Sequence, residues 1–174
     1  MSGTTQTIDV LITVDADYLL SKPQDVAGSI AMVTRRDAID SQASNDRGER
    51  DGGAELWIDA NPGDNIRWRA TTLSRNFDRI ALITRVVQGD PHQGGNYPGS
   101  MSTPISYNVP NIPVPYLDKS AAHGISKTDV TYTFWQAVAE APGKLWYKVG
   151  FVLLDRNLNQ IGPEYIWDPY ITVR

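Results

Sequence analysis

The chain has no cysteine and only two histidines, His92 and His123. The first absence excludes disulfides, thiolate metal sites and cysteine nucleophiles, so stability has to come from packing. With so few imidazoles, a copper centre lacks its thiolate and a zinc site needs carboxylates to complete it, so no metal is assigned on these residues. No apolar run approaches the ~20 residues of a membrane helix, and the opening MSGTTQTIDV has neither the basic start nor the apolar core of a signal peptide. The expected location is the cytoplasm, with export that needs no signal peptide left open, since a chain without thiols is indifferent to redox compartment. Excess basic charge is missing too. A net charge of −4 and a pI of about 5.1 argue against nucleic acid as a partner, because phosphate neutralisation by Lys and Arg dominates such binding. Helical periodicity is scarce: the best segment, ADYLLSKPQDVAG, is broken by Pro23, which leaves room for a turn or two.

What is present is a period of two. IDVLITVDA sets Ile8, Val10, Ile12 and Val14 on one side, and KLWYKVGFVLLD sets Leu145, Tyr147, Val149, Phe151 and Leu153 on one side. AELWIDA and NIRWRA, joined by the Pro-Gly turn of NPGD, read as a hairpin in which Trp68 points inward and Arg67 and Arg69 outward. In DVTYTFWQAVA, Tyr132, Phe134 and Val138 alternate with Thr131, Thr133 and Trp135. About eight strands separated by Gly, Pro and Asn turns predict an all-β fold: a single-domain antiparallel β-sandwich over residues 1–174, immunoglobulin-like or jelly-roll-like. Residues 35–53 read as a polar, mobile loop. Residues 88–128 read as a long Pro/Gly-rich loop insertion packed on the sandwich rim, with NVPNIPVPY in polyproline II conformation.

Several side chains could carry a function. Asp15 and Asp17 lie at strand spacing, as paired acids or cation ligands would. Asp155, Asn157 and Asn159 in DRNLNQ alternate as in oxygen-ligand calcium loops, although the closing Glu is missing and a tight hairpin uses the same residues. Trp57, Trp135 and Trp146 fall opposite the main apolar stripes, where an exposed indole serves as a sugar platform, a protein interface or a ring packed beneath the long insertion. Between Ile66 and Val86 five arginines (Arg67, Arg69, Arg75, Arg79, Arg85) face one acid, Asp78; their simplest role is pairing with acids on neighbouring strands. Neither GDPHQGG nor SAAHGIS matches a nucleophile motif, so no catalytic residue is assigned.

NPGDNIRWRATTLSRNFD, YTFWQAVAEAPGKLWYKVGFVLLDRN and the final WDPYITV, in that order after IDVLITVDAD, resemble the PixA/AidA family of bacterial inclusion-body proteins over nearly the whole chain. The resemblance implies a small soluble protein made at high level by host- or plant-associated bacteria. Some members form intracellular crystalline inclusions, some are under quorum-sensing control, and none has an established enzymatic activity. The expected function is therefore non-enzymatic. Self-association comes first, with a homodimer as the simplest state, in a protein acting on a host, through a host protein for example, or on neighbouring cells. The alternative is a lectin-like module holding a glycan, with calcium as an optional cofactor.

Overall fold

The computed structural model describes residues 5–174 and forms two β-sheets packed face to face, both of mixed strand direction. β1 (Thr7–Val14) and β2 (Ile30–Val33) belong to the first sheet, and between them lie the short helices α1 (Ala16–Ser21) and α2 (Val26–Ser29), on either side of Pro23. β3 (Trp57–Ala60) lies in the second sheet, β4 (Asn65–Thr72) returns to the first, and β5 (Ile80–Gln88) goes back to the second. β6 (Ile105–Leu117) and β7 (Ile125–Val138) complete the first sheet. β8 (Gly143–Leu154), β9 (Gln160–Trp167) and β10 (Tyr170–Val173) complete the second. The orders are β2-β1-β4-β7-β6 and β3-β10-β8-β5, with β9 on β8.

The all-β sandwich is as expected, but it is not purely antiparallel, and NPGD is not a hairpin turn. It is a corner that carries the chain from one sheet to the other, where β4 runs parallel to β1 and β3 parallel to β10. Gly63 takes φ 94° there, a conformation glycine adopts without a side-chain clash. The buried Asp64 carboxylate accepts from the backbone N–H groups of Gln6 (2.9 Å) and Asn61 (2.8 Å), tying the corner to the entry of β1. Beyond it, the inward stripes behave as their period dictates. Ile8, Val10, Ile12 and Val14 meet Leu145, Tyr147, Val149, Phe151 and Leu153 in one core, with Trp68 fully enclosed. Trp68 and Tyr147, from opposite sheets, have ring centroids 5.3 Å apart.

β9 and β10 share one edge of β8. Trp167 opposes Val149 and Tyr170 opposes Trp146, and the interruption falls at Asp168–Pro169, where the Pro169 carbonyl still accepts from Tyr147 N–H at 3.1 Å. Residues 35–53 are knitted down rather than free. Met32 exchanges backbone bonds with Gly52 and Gly53, Glu49 accepts from Ser44 N–H at 2.7 Å, and the buried Asp40 is reached by Arg174 at 3.3 Å. The 88–128 stretch also departs from the loop expected: residues 105–117 are strand β6, and β7 begins at Ile125. Polyproline II and β backbones differ by only a few tens of degrees, so prolines on an edge strand mimic an extended loop in the sequence.

Truncating the fully enclosed indole leaves a cavity between the sheets. Trp68→Ala is expected to lower the unfolding free energy by about 3–5 kcal/mol in a denaturant titration. An unchanged midpoint would contradict this packing.

Candidate functional site

The sheet register brings two of the three singled-out tryptophans together. On the outer face of the second sheet, Trp57 of β3 neighbours Tyr170 of β10, which neighbours Trp146 of β8. Tyr97 completes the group, its ring 6.2 Å from that of Tyr170. Gln93, Gly94, Tyr97, Trp146, Asp168 and Tyr170 line a hollow of about 230 Å³. The sequence marks Tyr97 only as a packing residue of the long insertion and does not mark Asp168 or Tyr170, because only strand pairing makes the three neighbours of Trp146.

The rings are already engaged. Lys144 Nζ lies 3.8 Å from the Trp57 ring centroid and 4.3 Å from that of Tyr170, and Lys148 Nζ lies 5.1 Å from Trp146. An ammonium over a ring face is attracted by its quadrupole and occupies the position where a sugar would stack. Trp57 donates from Nε1 to Thr172 Oγ1 at 2.7 Å, and Trp146 donates to the Asp90 carbonyl at 2.8 Å. Trp146 is buried beneath the segment that follows β5, and Gly89 is there because a Cβ would stand 2.1 Å from the indole. Burial pushes the Glu55 carboxyl above the usual carboxylate range, and the negative charges of Asp168 and Glu49 push it the same way. Desolvation likewise raises Asp168, against the opposing pull of Lys148.

Trp135 stands elsewhere and on the other side of its strand. It packs on the core and donates to the Ile83 carbonyl of the opposite sheet at 3.2 Å, so Phe134 is the outward residue. Phe134 lies beneath both arginines of the NIRWRA stretch: the guanidinium carbons of Arg67 and Arg69 are each 5.5 Å from its ring centroid. Those arginines share Asp9 on the adjacent β1, at 2.8 and 2.6 Å. Burial works to raise the Asp9 carboxyl, but the two arginine hydrogen bonds and charges outweigh it and hold it low.

Asp15 and Asp17 do not face one another from a strand. Asp15 caps α1, accepting from Tyr18 N–H at 3.0 Å, and Asp17 sits in the first turn of that helix. Both border a shallow hollow of about 180 Å³ with Asp78 and Arg79. Asp155 accepts from Asn157 N–H (2.8 Å), Asn159 N–H (2.9 Å) and Asn159 Nδ2 (3.1 Å), closing the β8–β9 hairpin, with Leu158 at φ 65°. These carboxylates serve the backbone as cap and turn. Among the described residues, no group of three His, Cys, Asp or Glu is placed to hold a metal ion, and no helix is long and apolar enough to cross a membrane.

Two acid–base predictions follow from opposite signs. Asp9 titrates lower in the folded than in the unfolded chain, so its contribution is present above about pH 4, the ordinary aspartate value, and is lost as pH falls through the folded one. Asp9→Asn is expected to flatten the acid limb of the unfolding midpoint plotted against pH. Asp168 titrates higher when folded, so its charge opposes folding as pH rises past that same ordinary value. Asp168→Asn is expected to raise the midpoint at pH 7 and leave it unchanged below pH ~4; a lower midpoint at neutral pH would contradict the desolvation argument.

The fold and its patches can be set beside known proteins. A crystal structure of a PixA inclusion body protein from Burkholderia cenocepacia J2315 superposes with a TM-score of 0.74 at 18% identity, covering 100% of this chain and 99% of that one; at such identity the likeness is one of fold. The solution structure of Amebosin aligns at 14% identity over 75% of this chain and 93% of its own, with a TM-score of 0.24 that supports no argument. No curated protein matches the chain in sequence. The family model described as PixA, inclusion body protein, matches residues 6–173. That match spans the strands of both sheets, and the chain belongs to the PixA inclusion body protein family.

Proposed function

We propose that this protein is a self-associating, non-enzymatic protein stored at high density, made under quorum control and acting in bacterial interaction with a host or with neighbouring cells. The observation that carries the reading is the inclusion-body family match over residues 6–173. Two features of the molecule support it. The acids singled out as chemistry-bearing, Asp15 and Asp155, are spent on a helix cap and a hairpin turn. Large apolar side chains nevertheless remain on one face of the β6–β7 pair, among them Ile105, Tyr107, Tyr116 and Tyr132. Contiguous exposed apolar surface on a soluble domain marks a place where another molecule binds.

Dense storage requires contacts between copies that strengthen with concentration. Sedimentation velocity of the purified chain over a hundredfold concentration range is expected to show a rising weight-average sedimentation coefficient. A single monomeric boundary at every concentration would overturn the self-association on which the reading stands.

A further inference from the structure

Over Asn65–Trp68, β4 pairs with the end of β7, from Val138 back to Trp135. Before that stretch β7 has no strand partner on the β4 side among the described residues, and residues 125–134 run on with β6 as a two-stranded ribbon. Cross-strand partners share a face. By the register, Ile105, Tyr107 and Val109 of β6 lie on one face with Gln136, Phe134 and Tyr132 of β7. A bulge at Pro110–Asn111 then adds one residue, with Asn111 at φ 60°. Beyond it Ile112, Val114 and Tyr116 continue on that same face, opposite Val130, Thr128 and Ser126. The bulge thus gathers every second residue on both sides of itself into one apolar stripe. It continues the outer face of the first sheet, where Arg67 and Arg69 cover Phe134.

This stripe is uncovered. Ile105 is 55% exposed, Tyr116 51%, Tyr132 48% and Tyr107 43%. Elsewhere Lys144 lies over Trp57 and Tyr170, Lys148 over Trp146, and Arg156 over Phe77. Among the described residues, no cation lies over the rings of the ribbon tyrosines. A two-stranded ribbon alone is marginal in water, so an apolar face of this length calls for a covering layer.

We propose that the covering layer is the ribbon of a second copy of this chain, packed face to face about a twofold axis; the inference rests on the self-association reading above and names its surface. Three observations select that occupant. Residues 91–117 contain no Asp, Glu, Lys or Arg. In a chain of net charge −4 this is where two copies approach with least repulsion, and an uncharged core is the mark of a protein interface. The area suffices as well. Aromatic side chains offer about 150–250 Å² each, so the half-exposed tyrosines and their aliphatic neighbours leave on the order of 500 Å² per copy, and the pair reaches the roughly 1,000 Å² of a specific interface. Finally, the edge is blunted while the face is open. Pro113 and Pro115 have no N–H, and because β6 pairs with β7 through this stretch, the missing donors are on its outer edge, which disfavours strand addition and leaves face packing. With the twofold axis lying across the ribbons, the Tyr116 end of one ribbon meets the root of the other, where Leu11, Arg69, Leu82 and Tyr132 border an open groove of about 680 Å³.

The test uses the full chain. Tyr116→Lys combined with Tyr132→Lys is expected to weaken dimerisation at least tenfold in sedimentation equilibrium, with the thermal unfolding midpoint within a few degrees of the parent. Leu117→Lys with Ile125→Lys, on the opposite ribbon face, is expected to leave dimerisation unchanged. Because the chain has no cysteine, Val130→Cys at mid-stripe gives a second readout: oxidation is expected to yield a disulfide-linked dimer, which Asp129→Cys on the other face does not. A parent chain that self-associates equally with and without the stripe substitutions overturns this surface and leaves self-association standing. A parent chain that is monomeric throughout overturns both.

Discussion

Trp68 and Tyr147 meet in the gap between the sheets, and the rest of the molecule depends on that contact staying dry. Each ring comes from a central strand, β4 or β8, and their packing sets the spacing to which the aliphatic stripes of β1 and β8 conform. Holding the gap requires the chain to pass from one sheet to the other without leaving buried polar groups unpaired. At the NPGD corner the Asp64 carboxylate accepts from Gln6 and Asn61. At the next crossing Thr72 Oγ1 donates to the Arg79 carbonyl at 2.8 Å while accepting from Asn76 N–H at 2.9 Å. Both corners spend polar side chains on the backbone, which is the usual way a buried turn is made tolerable.

The outer faces follow a second rule. Over most of the aromatic rings on the outer faces of the sandwich lies a lysine or arginine from the same neighbourhood, and two of those arginines share an acid. Arg67 and Arg69 cover Phe134 and hold Asp9; Lys144 covers both Trp57 and Tyr170. The β6–β7 ribbon departs from this pattern: among the described residues no cation lies over its tyrosines, and Tyr107 stacks only on Phe134. That contrast within a single molecule gives the ribbon its interest as a surface for assembly.

How much of this was legible beforehand varied with the range of the interaction. The all-β class, the inward stripes of β1, β4 and β8, the enclosure of Trp68, the pairing of the NIRWRA arginines and the family were all readable. The polar 35–53 stretch has the composition of a free loop, whereas its order comes from bonds to Met32 and from the buried Asp40 and Glu49. β6 hid behind its prolines, and the bulge at Pro110–Asn111 broke the alternation that would have disclosed its apolar stripe. In β7 Phe134 and Tyr132 are the more obvious core residues by sequence, but the sheet turns them outward and packs Trp135 on the core.

Side-chain alternation is a property of the local backbone, so the sequence alone determined that this chain is built of strands and which residues of β1 and β8 share a face. It also determined, by omission, that neither thiol chemistry nor disulfides take part. The tertiary structure decided which sheet each strand joins, which face of β7 is interior, that the Trp57–Tyr170–Trp146 row is covered by lysines and a loop, and that one stripe of the ribbon is left open. Those outcomes depend on strand pairing and register between residues far apart in the chain, and no local period encodes them.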